Sequence, residues 1–132
     1  MIGSPNLLRV VLFLVGIHSI LLGTTIYFFT TPFYQLFFSV DPDNFFFIKQ
    51  AGIFLFLAGL FYLVPVWDMN RYKPIIYLVV ISKTIAVLFL ITNASLSPSP
   101  LMIYLAALGD GSMALIIMFF SWSSRRGSPP KT

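Results

Sequence analysis

The chain has 132 residues, of which 58% are hydrophobic and only 9% are charged, whereas soluble domains carry roughly 25% charged residues. Such a chain cannot cover a water-facing surface. Its length fits four spans of about 20 residues with short connections and leaves no room for a soluble catalytic domain. It has no cysteine, which excludes disulfides and thiolate metal sites. The net charge of +4 comes from basic residues at helix ends, where topology explains it, so no nucleic-acid partner is expected.

Prolines mark the predicted helix starts. Proline suits the first position of a helix, where its missing N–H is not needed. Four apolar stretches each follow such a proline, at Pro5, Pro42, Pro74 and Pro100. The predicted spans cover residues 5–29, 42–66, 74–93 and 100–122.

The stretches between and before these spans are also informative. Arg9 precedes the first apolar run as in a secretory signal, but no small-residue cleavage site follows, so we interpret the run as a retained span. The aromatic connection over residues 30–40 is predicted to lie in the headgroup region. Pro65 is expected to kink or end the second helix. Residues 95–99 are so few that the third and fourth spans must be antiparallel neighbours.

The orientation follows from the distribution of Lys and Arg. Six basic residues fall on one side of the four predicted spans, and only Lys49, with Asp41 and Asp43, falls on the other. We therefore predict an all-α, membrane-spanning up-down four-helix bundle with both termini inside, as a multi-pass protein of the cell inner membrane. Residues 1–122 form one transmembrane domain, and residues 123–132 form a polar cytoplasmic tail. The six basic residues are Arg9, Arg71, Lys73, Arg125, Arg126 and Lys131.

Two ionisable residues are expected to meet inside the membrane, where each costs roughly 2.5–3.5 kcal/mol at the centre. Lys83 lies about 13 Å past Pro74, at a rise of about 1.5 Å per residue. Asp110 lies about 15 Å past Pro100 by the same rise. In a core about 30 Å thick these depths nearly coincide, so we expect an ion pair between the third and fourth spans. It either fixes helix packing or forms a binding or proton-handling site.

Small residues favour close approach of helix backbones. Several of them surround Asp110 and support the proximity of the last two spans. In the second span, Gly52 and Ala58-Gly59 suggest another close contact, although ordinary membrane-helix glycine explains them at least as well. The small residues around Asp110 are Ala106, Ala107, Gly109, Gly111 and Ala114.

His18 and Gln50 are the other polar candidates. His18 reaches a similar depth and could fill a hydrogen-bonded packing role, a polar relay with Asp110 or cofactor ligation. A b-type haem usually needs two histidines and the chain has one, so we predict no cofactor and no metal. Lys49 can extend outward, and Gln50 is expected to face the bundle. The candidate intramembrane polar cluster is Lys83, Asp110, His18 and Gln50.

A family resemblance rests on features of the first two spans. They are Leu8-Arg9-Val10, Gly16, Gly23, Gly52 and Ala58-Gly59-Leu60. With these features the chain resembles the small bacterial four-helix membrane proteins of the DoxX-like group, over most of its length. Some members of that group are linked to membrane redox systems as small subunits.

Two functions remain open. The first is a non-catalytic accessory subunit or homo-oligomeric membrane component, whose partners are the lipid bilayer and either other membrane subunits or a second copy. The alternative is a proton-coupled small-molecule transporter or a lipid- or quinone-binding protein that uses the polar cluster as a pocket. No nucleophile–base pair, metal-ligand cluster or phosphate loop is visible, so we predict no catalytic residues and rank an enzyme last.

Overall fold

The computed structural model of the protein describes residues 5–39, 41, 43–97 and 100–126, which form five α-helices. Four of them are long and apolar enough to cross a membrane, and they follow one another in an up-down arrangement. The predicted all-α class and the four candidate spans are therefore confirmed. The one helix that is not a candidate span, α2 (Thr30–Phe38), is short and forms the connection after the first span. The helices are α1 (Pro5–Phe28), α2 (Thr30–Phe38), α3 (Phe45–Trp67), α4 (Lys73–Ala94) and α5 (Pro100–Arg126).

Three spans begin at or beside their prolines, but α3 begins at Phe45 rather than at residue 42. The reason is a local cap. The side-chain Oδ1 of Asn44 accepts a hydrogen bond from the N–H of Phe46 at 2.8 Å, which satisfies one of the free donors at a helix start. Pro42 itself lies outside the described residues. Farther along, Pro65 is buried inside α3, which continues past it.

The last helix runs beyond the predicted span. α5 extends to Arg126, whereas the sequence places the end of the fourth span near residue 122. The rest of the predicted polar tail, residues 127–132, lies outside the described residues.

The first connection folds into α2, which has nine residues and a length of about 13 Å, too short to cross a membrane. Its aromatic side chains pack along the helix. Phe33 stacks on Phe37, and Tyr34 packs against Phe38, with ring centroids 4.6 Å apart in both pairs. Ser39 ends the helix in the left-handed conformation, with φ 58°. Because α2 contacts α1, α3 and α5, it covers one end of the bundle, and its place in the headgroup region stays a prediction.

The tightest helix contact is between α1 and α3, and glycines make it possible. Gly16 and Gly23 in α1 and Gly52 and Gly59 in α3 are each seven residues apart, so two pairs face each other in the antiparallel helices. A Cβ added to Gly23 would lie 2.5 Å from the carbonyl oxygen of Gly52, and one added to Gly59 would lie 2.8 Å from that of Gly16. Any side chain would force the two backbones apart.

The four spans form a ring in the order α1, α3, α4, α5. α1 packs against α3 and α5, and α4 packs against the same two helices, while the backbones of diagonal helices do not approach closely among the described residues. The core fills the half of the bundle that contains the start of α1 and the end of α5. Its buried members are Leu8, Leu12 and Val15 of α1, Tyr62 of α3, Ile76 and Val79 of α4, and Ile117 of α5.

Candidate functional site

An ion pair joins α4 to α5 inside the bundle. The Nζ of Lys83 donates a hydrogen bond to Oδ1 of Asp110, with the two atoms 2.6 Å apart. The side chain of Lys83 is 5% exposed and that of Asp110 is 20% exposed. The contact expected from residue counting is therefore present, with the short distance of a charge-assisted hydrogen bond.

This pair accounts for how two ionisable groups can lie near the middle of two candidate spans. Each ion gives the other an opposite charge and a hydrogen-bond partner, neither of which lipid chains supply. Such a pair adds little net stability over apolar residues of similar volume, yet removal of one partner typically costs about 3–5 kcal/mol. The pair therefore opposes any displacement of α4 along α5 that would separate the two charges.

A second polar contact, which the sequence analysis missed, joins α3 to α4. The hydroxyls of Tyr62 and Ser82 are 2.7 Å apart. Ser82 donates its own proton to the carbonyl oxygen of Val79 at 3.0 Å, so the hydroxyl of Tyr62 is the donor between the two. The Nζ of Lys83 also lies 5.9 Å from the centroid of the Tyr62 ring, within reach of a cation–π interaction. Polar contacts thus connect α3, α4 and α5 in one region of the bundle.

His18 lies near the ion pair. It interacts electrostatically with both Lys83 and Asp110, and its side chain is exposed on α1. The structure therefore brings three of the four predicted cluster residues into one neighbourhood, contributed by α1, α4 and α5.

Gln50 does not join this group. It is exposed on α3, although it was expected to face the bundle. Gly52 takes the position against α1, and Gln50, two residues earlier, lies about 200° around the helix from it. Gln50 also precedes Tyr62 by twelve residues, or about 18 Å along the axis. Next to it, Lys49 places its Nζ 5.6 Å from the ring centroid of Tyr27.

Ser19 is a buried polar residue that sequence reasoning also missed. Its side chain is fully buried, and its Oγ has no hydrogen-bond partner among the described residues. By contrast, Thr24 and Thr30 each donate to a carbonyl oxygen one turn earlier at 2.8 Å. A buried hydroxyl without a partner costs roughly 1–3 kcal/mol, so this atom requires an explanation.

The glycines beside Asp110 do not mediate the close backbone approach that the sequence suggested. A Cβ added to Gly109 would meet no atom within 4 Å, and one added to Gly111 would make only an ordinary contact at 3.6 Å. Two of the predicted alanines, Ala107 and Ala114, are buried instead, and α4 and α5 pack closely against each other.

Two apolar grooves open on the sides of the bundle. The α4/α5 groove has a volume of about 740 Å³, and the α3/α4 groove has a volume of about 580 Å³. Tyr62 and Ser82 line the second, whereas neither groove is lined by Lys83, Asp110 or His18. Grooves of this size and composition suit lipid chains or the side chains of a neighbouring helix.

Among residues 5–39, 41, 43–97 and 100–126, no group of three His, Cys, Asp or Glu side chains could hold a metal ion. No protein-family model, curated protein or solved structure matches the chain. The fold and the site define a small multi-pass membrane protein with four candidate spans, in contact with the lipid bilayer.

Proposed function

We propose that the protein is a small, non-catalytic component of the cell inner membrane, either an accessory subunit of a larger complex or a homo-oligomer. One observation carries the proposal: polar groups within the spans are engaged in joining its own helices. Lys83 binds Asp110 across α4 and α5, and Tyr62 binds Ser82 across α3 and α4. These contacts fix the packing of the bundle and leave its lateral faces for interaction.

The proposal includes an orientation and a family. Both termini lie on the cytoplasmic side, as the excess of basic residues at that end supports. The chain is of DoxX-like type. The glycines that carry this resemblance, Gly16, Gly23, Gly52 and Gly59, are also those at which α1 meets α3, which gives the pattern a packing role.

The mass of the protein in lipid nanodiscs tests this function. The chain is purified once from its native membranes and once from an unrelated host, and native mass spectrometry determines the composition of each particle. An oligomer in both preparations indicates a homo-oligomer. A stoichiometric complex with another membrane protein in the native preparation alone indicates an accessory subunit. A monomer in both preparations would contradict the proposal.

A second candidate is a proton-coupled small-molecule transporter or a lipid- or quinone-binding protein. The observation that favours it is partial access: the side chain of Asp110 is 20% exposed, and the exposed His18 interacts with the pair. Proton flux into proteoliposomes, followed with an internal pH-sensitive dye, separates the two candidates. An accessory role predicts the same flux for the wild type and for Asp110→Asn, whereas a flux that is lost in Asp110→Asn supports the transporter.

A further inference from the structure

Residue counting from the core cluster places Ser19 and the ion pair at a similar depth in the bundle. Val15 of α1, Val79 of α4 and Ile117 of α5 belong to one core cluster. Ser19 lies one turn beyond Val15, and Lys83 lies one turn beyond Val79. α1 and α4 run in the same direction, so Ser19 and Lys83 are both displaced from the core cluster toward the same end of the bundle.

The other helices agree with this placement. α5 runs in the opposite direction to α1 and α4. Asp110 lies two turns before the core residue Ile117, so it is displaced from the core toward the same end of the bundle as Ser19. His18, the neighbour of Ser19 in α1, interacts electrostatically with both Lys83 and Asp110. The name polar layer is used below for Ser19, Lys83 and Asp110.

The polar layer has hydrogen-bonding capacity that its own side chains do not use. Lys83 carries three N–H donors, of which one reaches Asp110. Ser19 is fully buried, and its hydroxyl has no partner among the described residues. A group that satisfies both must be small, must accept a hydrogen bond from an ammonium, and must either accept one from the hydroxyl or donate one to it. The pair is neutral overall, which favours an uncharged molecule.

We propose that the polar layer is a binding site for a buried water molecule that bridges the Oγ of Ser19 and the Nζ of Lys83. Buried waters in proteins typically make about three hydrogen bonds to polar groups that otherwise lack partners. The third bond of this water goes to the carboxylate of Asp110 or to a backbone carbonyl. This water site belongs to the fold whether the protein is an accessory component or a transporter.

Water-edited solid-state NMR of the protein with ¹³C-labelled serine in lipid bilayers tests the site. Magnetisation that starts on water should reach the Cβ of Ser19, whose signal is assigned by its loss in Ser19→Ala. Ser112 is the matched control, because it lies two residues from Asp110 on the exposed face of α5 and donates to the carbonyl oxygen of Gly109 at 2.8 Å. It should receive no early transfer. A Ser19 signal as weak as that of Ser112 would overturn the proposal.

Thermal unfolding provides an independent test, because the proposal predicts the sign of the change in melting temperature on Ser19→Ala. If water bridges Ser19 to Lys83, Ser19→Ala removes a hydrogen bond and lowers the melting temperature, and Ser112→Ala leaves it nearly unchanged. In the Lys83→Met/Asp110→Leu background the same Ser19→Ala change should have no cost, because the water has lost its other partners. A Ser19→Ala protein that melts at the same or a higher temperature than the wild type would show that no water is hydrogen-bonded to the Ser19 hydroxyl, and would overturn the proposal.

Discussion

Removal of either member of the Lys83–Asp110 pair should destabilise the protein far more than removal of both. Lys83→Met leaves the Asp110 carboxylate without its counter-ion, and Asp110→Leu leaves the Lys83 ammonium without its counter-ion. Loss of one partner of a buried pair typically costs about 3–5 kcal/mol, whereas replacement of both by apolar residues is often nearly neutral. The side chain of Lys83 is 5% exposed and that of Asp110 is 20% exposed. Asp110→Leu should therefore be the more damaging change, because it strands the more deeply buried charge.

The free energy of unfolding, measured by SDS titration in mixed micelles and followed by circular dichroism, gives the coupling between the two positions. Because both single losses should largely disappear in the double variant, we expect a coupling above about 3 kcal/mol, which is the cost of one such loss. Thr84→Val is the matched control for Lys83→Met, because Thr84 is adjacent but exposed and donates to the carbonyl oxygen of Val80. Its effect should add to that of Asp110→Leu. Single losses at Lys83 and Asp110 that simply add would show that the two side chains do not interact.

Three further predictions follow from the packing, the topology and the histidine content. Gly23→Ala places a Cβ 2.5 Å from backbone atoms of α3 and should cost about 1–3 kcal/mol in the same titration. Gly109→Ala, whose Cβ meets nothing within 4 Å, should be neutral or stabilising. Equal losses of stability in Gly23→Ala and Gly109→Ala would contradict the close contact between α1 and α3. Reporter fusions after Asn93 and after Arg126 should report opposite sides of the membrane, and the same side for both would defeat the four-span topology. The purified protein should show no Soret band, because His18 offers one axial ligand, and a band abolished by His18→Ala would disprove this.

The sequence predicts the spans and the ion pair because both depend on simple physical constraints. Long apolar stretches have no stable place in water, and prolines at their starts limit where each helix can begin. Two residues of opposite charge at similar depth in adjacent antiparallel spans have few possible partners other than each other. Lys83 and Asp110 could therefore be paired by counting residues, and the structure places their side chains 2.6 Å apart.

The Tyr62–Ser82 contact could not be found by the same counting. Tyr62 lies five residues before the end of α3, and Ser82 lies nine residues after the start of α4. Their backbone depths differ by about 6 Å, and only the length of the tyrosine side chain closes that gap. The orientation of Gln50 was missed for another reason. α3 is apolar on nearly every face, so its hydrophobic pattern does not tell which side meets the bundle.

The α1–α3 contact had a detectable signal that depends on spacing rather than on composition. Gly16 and Gly23 are separated by the same seven residues as Gly52 and Gly59, which allows both pairs to meet in antiparallel helices. Ser19 left no such signal, because burial of one hydroxyl among apolar neighbours depends on the full packing of the bundle.

Solid-state NMR in lipid bilayers can measure directly whether Lys83 and Asp110 bind each other within the membrane. The chain has four acidic residues, all aspartates, and four lysines, so its ¹⁵Nζ and carboxylate ¹³Cγ signals are few enough to assign with single variants. We expect a strong dipolar contact between the Nζ of Lys83 and the Cγ of Asp110, and this contact should disappear in Asp110→Leu. Absence of that contact in the wild-type protein, with both side chains assigned, would contradict the ion pair.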